Sequence, residues 1–130
     1  MPNIYTVYTD ASPLGIATWV IISDGNTAKA HERIEVRSQN EGEAKAILLA
    51  VSSLPASAIV NLYSDSQLIV FGLTGRNNIK APHLDYLIRE IRRVVNEKGL
   101  FIQFHWVKDT KNEAGIYLEQ IKQTKGRSQW

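Results

Sequence analysis

Ile4-Tyr5-Thr6-Val7-Tyr8-Thr9-Asp10 carries no charge until its last residue. β-Branched and aromatic side chains mark the run as a strand, and the missing polar alternation marks it as covered on both faces. That is the reading of a central strand in an α/β sheet. Its closing aspartate then stands at the C-terminal edge, where open α/β sheets place their ligands. A second run, Ile59-Val60-Asn61-Leu62-Tyr63, leads through Ser64 to Asp65 in the same way. If the two strands are parallel neighbours, both carboxylates emerge at one edge.

The remaining elements follow outward from these runs. Pro13 and Gly15 punctuate a turn over 10–15. Ile16–Ser23 reads as a second strand, Asp24-Gly25-Asn26 as a hairpin signal, and Thr27–Val36 as the returning third strand. Glu41–Leu54 reads as a helix, with Asn40 as N-cap and Glu43 as its capping-box partner. A short helix is expected over Ser66–Leu73, then a polar loop to Pro82. His83–Lys98 is amphipathic, with Leu84, Leu87, Ile88 and Ile91 opposite Arg89, Arg92 and Arg93, and Gly99 stops it. Leu100–Val107 is a fifth strand, and Asn112–Thr124 a last helix entering a basic tail over about 122–130 (Lys122, Lys125, Arg127, then Trp130). The expected architecture is one α/β domain over 1–130: a five-stranded mixed sheet, strands one to three antiparallel and four and five parallel, flanked by helices.

Composition narrows the chemistry. With 130 residues and 44% hydrophobic content, the chain can build one core. It has no cysteine, so a metal must sit on oxygen or histidine and disulfides are excluded. The N-terminus shows no basic, apolar leader and no stretch long enough to span a membrane, so a cytoplasmic location is expected. A net charge of +2 permits a polyanionic partner without requiring one.

Glu43 joins the two aspartates. Residues three, four and seven apart share a helix face, so Glu43 lies on one stripe with Ala46, Ile47 and Ala50 and faces the sheet rather than water. Each acid taken singly reads equally well as a cap or a turn residue. Three carboxylates converging from three elements repel one another unless a cation intervenes, and Mg²⁺ suits such oxygen donors.

The blocks Tyr8-Thr9-Asp10-Ala11-Ser12, Asn40-Glu41-Gly42-Glu43-Ala44-Lys45-Ala46 and Tyr63-Ser64-Asp65-Ser66-Gln67 with Gly72 resemble, in order and spacing, the first three catalytic blocks of type 1 ribonuclease H. The resemblance implies the ribonuclease H fold and hydrolysis of the RNA strand of RNA/DNA hybrids. It implies two ions, Mg²⁺ or Mn²⁺, with Asp10 bridging both while Glu43 and Asp65 hold the second. Asn40 and Gln67 match positions that contact the hybrid in its minor groove, Ser38 matches a position that binds DNA-strand phosphate, and Ser12 and Ser66 belong to the same substrate-side blocks. Thr74 to Pro82 holds only Arg76 and Lys80, so the basic handle of some members is missing. The chain is thus similar to compact archaeal and retroelement-type members, and a monomer is expected.

The fourth block departs from the family. Where it places Asn, three residues, then Asp, this chain reads Asn112-Glu113-Ala114-Gly115-Ile116. Isoleucine cannot bind a cation. Glu113 and Glu119 lie three residues either side of it and Asp109 lies in the preceding loop, with Glu113 the favoured substitute. Activity is therefore expected to be reduced or to prefer Mn²⁺. A weakened module that binds hybrid or RNA, and another nuclease on the same fold, are the alternatives. His105 is expected to be a packed or edge histidine, Trp19 and Trp106 core residues, and the arginines of 83–98 a solvated face.

Overall fold

The computed structural model describes residues 4–128, with side chains in the last helix described as far as Gln123. In chain order the elements are β1 (Ile4–Ser12), β2 (Ile16–Ser23), β3 (Asn26–Arg33), α1 (Gln39–Ser52), β4 (Ile59–Ser64), α2 (Gln67–Leu73), α3 (Pro82–Lys98), β5 (Phe101–Trp106), a 3₁₀ turn (Asp109–Lys111) and α4 (Glu113–Ser128). They form one five-stranded mixed sheet in the order β3-β2-β1-β4-β5. β1 pairs antiparallel with β2 and parallel with β4, and β4 pairs parallel with β5. The expected five-stranded mixed sheet, antiparallel over strands one to three and parallel on to strands four and five, is the one observed. Among the described residues, no helix is long and apolar enough to cross a membrane.

β1 is the middle strand, and its uncharged composition follows from that place. Val7 packs with Val60 and Leu62 of β4 beneath Ile47 and Val51 of α1, Leu54 just past its end, and Leu87 and Ile91 of α3, all in one buried cluster. Side chains alternate across the sheet, so Thr18 of β2 points to the opposite face, where its hydroxyl donates to the Ala114 carbonyl of α4 at 3.0 Å. The Asp24-Gly25 hairpin has both residues at positive φ (51° and 75°) and pairs Ser23 with Asn26, as a two-residue turn requires. Gly99 ends α3 in the left-handed conformation, φ 64°.

Three local expectations are corrected. β1 does not end before Asp10 but pairs with β2 as far as Ser12 opposite Ile16, so Asp10 sits inside a strand and not in the turn. β3 stops at Arg33, because its partner β2 begins at Ile16 and offers no ladder beyond it. The N-cap of α1 is Ser38, whose Oγ accepts from Glu41 N, and not Asn40. Glu41 is instead paired with Arg37 and Lys45, one turn to either side.

Candidate metal centre at the carboxyl edge of the sheet

The parallel register sets Thr9 against Ser64, so the next residues, Asp10 still within β1 and Asp65 just past β4, come at the same level of the sheet edge. Asp10 is held by the adjoining strand backbone, with Oδ1 accepting from Ala11 N at 2.9 Å. Glu43 comes from α1, on the stripe that buries Ala46, Ile47 and Ala50. Gln39, one turn earlier, donates through Nε2 both to Glu43 Oε1 (2.8 Å) and to the Ala11 carbonyl (2.7 Å). That amide therefore fastens the helix to the end of β1. Each of Asp10, Glu43 and Asp65 offers a carboxylate oxygen, and these lie within 4.8 Å of one another.

The electrostatics are those of an unsatisfied anionic site. Burial, then Asp10 and Asp65, push the Glu43 carboxyl up to about 10. Burial raises Asp10 as well, although Glu43, the Ala11 amide and Lys122 partly oppose it. Asp65 goes up to about 6 through burial and the charges of Asp10 and Asp109. Glu43 is only 2% exposed, and its Oε2 has no hydrogen-bond partner. A buried carboxylate oxygen without a donor is costly unless a proton or a cation supplies the missing charge. Oxygen-only donors at this density fit a hard divalent cation such as Mg²⁺ or Mn²⁺.

The trio lies in a cavity of about 700 Å³, whose wall includes Asn40, Ser66, Gln67 and Trp106. Asn40 Oδ1 accepts from the Ser66 hydroxyl at 3.4 Å, and Ser66 Oγ also caps α2 through Ile69 N. Two other residues expected to contact substrate lie elsewhere. Ser38 is exposed at the start of α1, and Ser12 is buried with its Oγ accepting from Leu14 N in the turn. Trp106 is not a core residue. It is 39% exposed and donates through Nε1 to the Asp65 carbonyl. Trp19 packs half-buried against the core, and His105, on the edge strand β5, stacks on Tyr63 of β4 and bonds Asn61 Oδ1. The arginines of α3 are engaged at home: Arg89 with Asp85, Arg93 with Glu90 and Glu97, and Arg92 with the Gly72 carbonyl. Of the basic tail, Lys122 lines the cavity, while the side chains of Lys125, Arg127 and Trp130 lie outside the described residues.

The fourth wall is the first turn of α4. Asn112 is fully buried and donates through Nδ2 to the Thr9 carbonyl (2.8 Å), while its Oδ1 accepts from Ala114 N (3.0 Å). One side chain thus caps α4 and pins it to β1 beside Asp10. The approach is close: a Cβ on Gly115 would stand 3.0 Å from Asp10 Oδ2. Ile116 lines the cavity and is 48% exposed. Glu113 is exposed and is not among the residues of that wall, and its charge bears on Tyr8. Gln39, Asn112 as a pin and Trp106 escaped the sequence reading. A Gln four residues before Glu43 was the only local signal for the first; the other two depend on contacts across the fold.

The RNase H family model matches residues 2–127. Among solved structures, the N-terminal RNase H domain of rv2228c from Mycobacterium tuberculosis, fused to maltose binding protein, is 18% identical with a TM-score of 0.73, over 85% of this chain and 92% of that one. RNase H1 from the halophilic archaeon Halobacterium salinarum is 21% identical with a TM-score of 0.71, over 88% and 91%. LC11-RNase H1, solved in complex with an RNA/DNA hybrid, is 22% identical with a TM-score of 0.72, over 85% and 88%; LC11-RNase H1 was isolated from compost by a metagenomic approach. At these identities the likenesses speak for a shared fold. No curated protein matches the chain in sequence. With a family model that runs from the first strand through the last helix, the chain belongs to the RNase H family.

Proposed function

We propose that this protein is an endoribonuclease that hydrolyses the RNA strand of RNA/DNA hybrids, with Asp10, Glu43 and Asp65 holding two divalent cations, Mg²⁺ or Mn²⁺. The observation that carries this reading is the buried Glu43 Oε2, left without a partner between two aspartates at the sheet edge. When bound, such ions activate a water and stabilise the leaving oxygen of a phosphodiester. The chain's own residues do the positioning. Gln39 holds Glu43, and the Ala11 amide holds Asp10. Asn40 and the exposed Gln67 offer amides on the cavity wall, suited to a minor groove in which the 2′-OH distinguishes RNA from DNA. Ser66 steadies Asn40. Ser38 uses its oxygen as a cap and keeps its hydroxyl hydrogen for a strand phosphate. A protein of the same fold, LC11-RNase H1, was solved with such a hybrid, which supports the substrate class.

The test is cleavage of a labelled RNA/DNA hybrid beside single-stranded RNA and duplex DNA, in Mg²⁺ and in Mn²⁺, with Asp10→Asn as control. Hybrid cleavage that vanishes in the variant is the expected result, faster in Mn²⁺ because its coordination demands less of the ligand set. Ile116, an aliphatic wall where the family's fourth acid would stand, favours a second reading: a weakened module that binds hybrid. Hybrid binding without cleavage in either metal would establish that reading and overturn the first.

A further inference from the structure

The cavity has a gap in its ligand set at Ile116 and an unused carboxylate nearby. Two acids besides the trio line the wall, Asp109 and Glu119. Glu119 is already paired with Lys122 at 3.3 Å. Glu113 does not reach the wall at all. Asp109 opens the 3₁₀ turn between β5 and α4, and among the described residues no cationic side chain pairs with it. Its Oδ1 accepts from Thr110 N at 2.8 Å, which fixes the carboxylate's root and leaves its other oxygen for a ligand.

Gly115 shows how near Asp109 lies to the centre. The Cβ position on that glycine is 3.0 Å from Asp10 Oδ2 and 3.8 Å from the Asp109 carbonyl oxygen. The backbone of Asp109 and the carboxylate of Asp10 therefore both border Gly115, and both residues line the same cavity. The charge of Asp109 reaches both aspartates, raising Asp10 and Asp65 alike. Asp109 is outside the set of oxygens within 4.8 Å, which suits a ligand to an ion bound beyond Asp10, or one acting through a bridging water. The charge balance points the same way. Two dications facing three carboxylates leave an excess positive charge, and a fourth carboxylate removes it.

We propose that Asp109 supplies the fourth carboxylate of the metal centre, entering from the β5–α4 turn in place of an acid at position 116. This rests on the reading of Asp10, Glu43 and Asp65 as a metal centre. The acid then enters from the turn that precedes α4 and not from the helix itself.

The test counts bound Mn²⁺ on the whole protein by calorimetry and electron paramagnetic resonance. The parent is expected to bind two ions. Asp109→Asn keeps the acceptor oxygen for Thr110 N and so keeps the turn; it is expected to weaken the ion that Glu43 and Asp65 do not hold, counted here as the second to bind, by about 10–100-fold while the other is retained. Adding Ile116→Asp to that variant is expected to restore the second ion, which a merely structural role for Asp109 would not allow. Two ions bound with parental affinity in Asp109→Asn would overturn the proposal, and loss of binding in Asp10→Asn alone would still support the trio. Absence of Mn²⁺ binding in the parent would overturn the metal centre itself.

Discussion

Glu43 concentrates the energetic problem of this protein in one side chain. Burial and two neighbouring aspartates push its carboxyl from 4.5 up to about 10, and Asp65 goes up to about 6. Without a cation, the folded protein therefore holds more protons than the unfolded chain from near pH 4.5 to near pH 10, and its stability falls as pH rises across that window. Glu43→Gln removes the ionisation, keeps an oxygen for Gln39 and places an amide hydrogen towards Asp10. In chelator this variant is expected to be more stable than the parent at about pH 8, by about 1–3 kcal/mol, with a flatter pH dependence. Urea unfolding of both proteins at several pH values checks this, and a variant as pH-sensitive as its parent would contradict it. The identity of Glu43 as a sheet-facing acid was legible from its stripe of Ala46, Ile47 and Ala50. Its missing partner was not, because that depends on what β1 and β4 bring beside it.

At the scale of elements, the site depends on how α1 and α4 are moored to the end of β1. Gln39 and Asn112 do this, each with one amide donating to a β1 carbonyl, Ala11 and Thr9 respectively. The start of α1 was misplaced by two residues because Ser38 and Asn40 are both good caps, each followed three residues later by a glutamate. Starting the helix at Gln39 puts Gln39 and Glu43 one turn apart, which lets a single amide reach both Glu43 and the strand. That tertiary bond distinguishes the two caps, and no local pattern reports it. Asn112→Ala removes both the pin and the cap of α4. It is expected to cost about 2–4 kcal/mol, read by denaturant unfolding, with faster amide exchange in the first turn of α4. A loss below about 0.5 kcal/mol, the scale of an ordinary surface substitution, would show that α4 is held by packing alone.

For the whole molecule, binding at the sheet edge should stabilise the fold, because the three acids converge only in the folded chain. Mn²⁺ at about one hundred times its dissociation constant is expected to add about 2.7 kcal/mol to unfolding, seen as a rise in Tm that Asp10→Asn abolishes. An equal rise in both proteins would place the ion elsewhere. Legible in the chain alone are the strand runs that carry Asp10 and lead to Asp65, the amphipathic α3 with its Gly99 stop, the Asp24-Gly25 hairpin and the absence of an acid at 116. These are patterns of neighbours two to four residues apart, and local periodicity carries them. Tertiary contacts alone put Asp10 inside a strand, make Ser38 the cap of α1, leave Glu113 out of the cavity wall and bring Asp109 into it. Each of these depends on segments far apart in the chain, such as Asn112 on Thr9, whose meeting is set by strand pairing and core burial and leaves no periodic trace in the sequence.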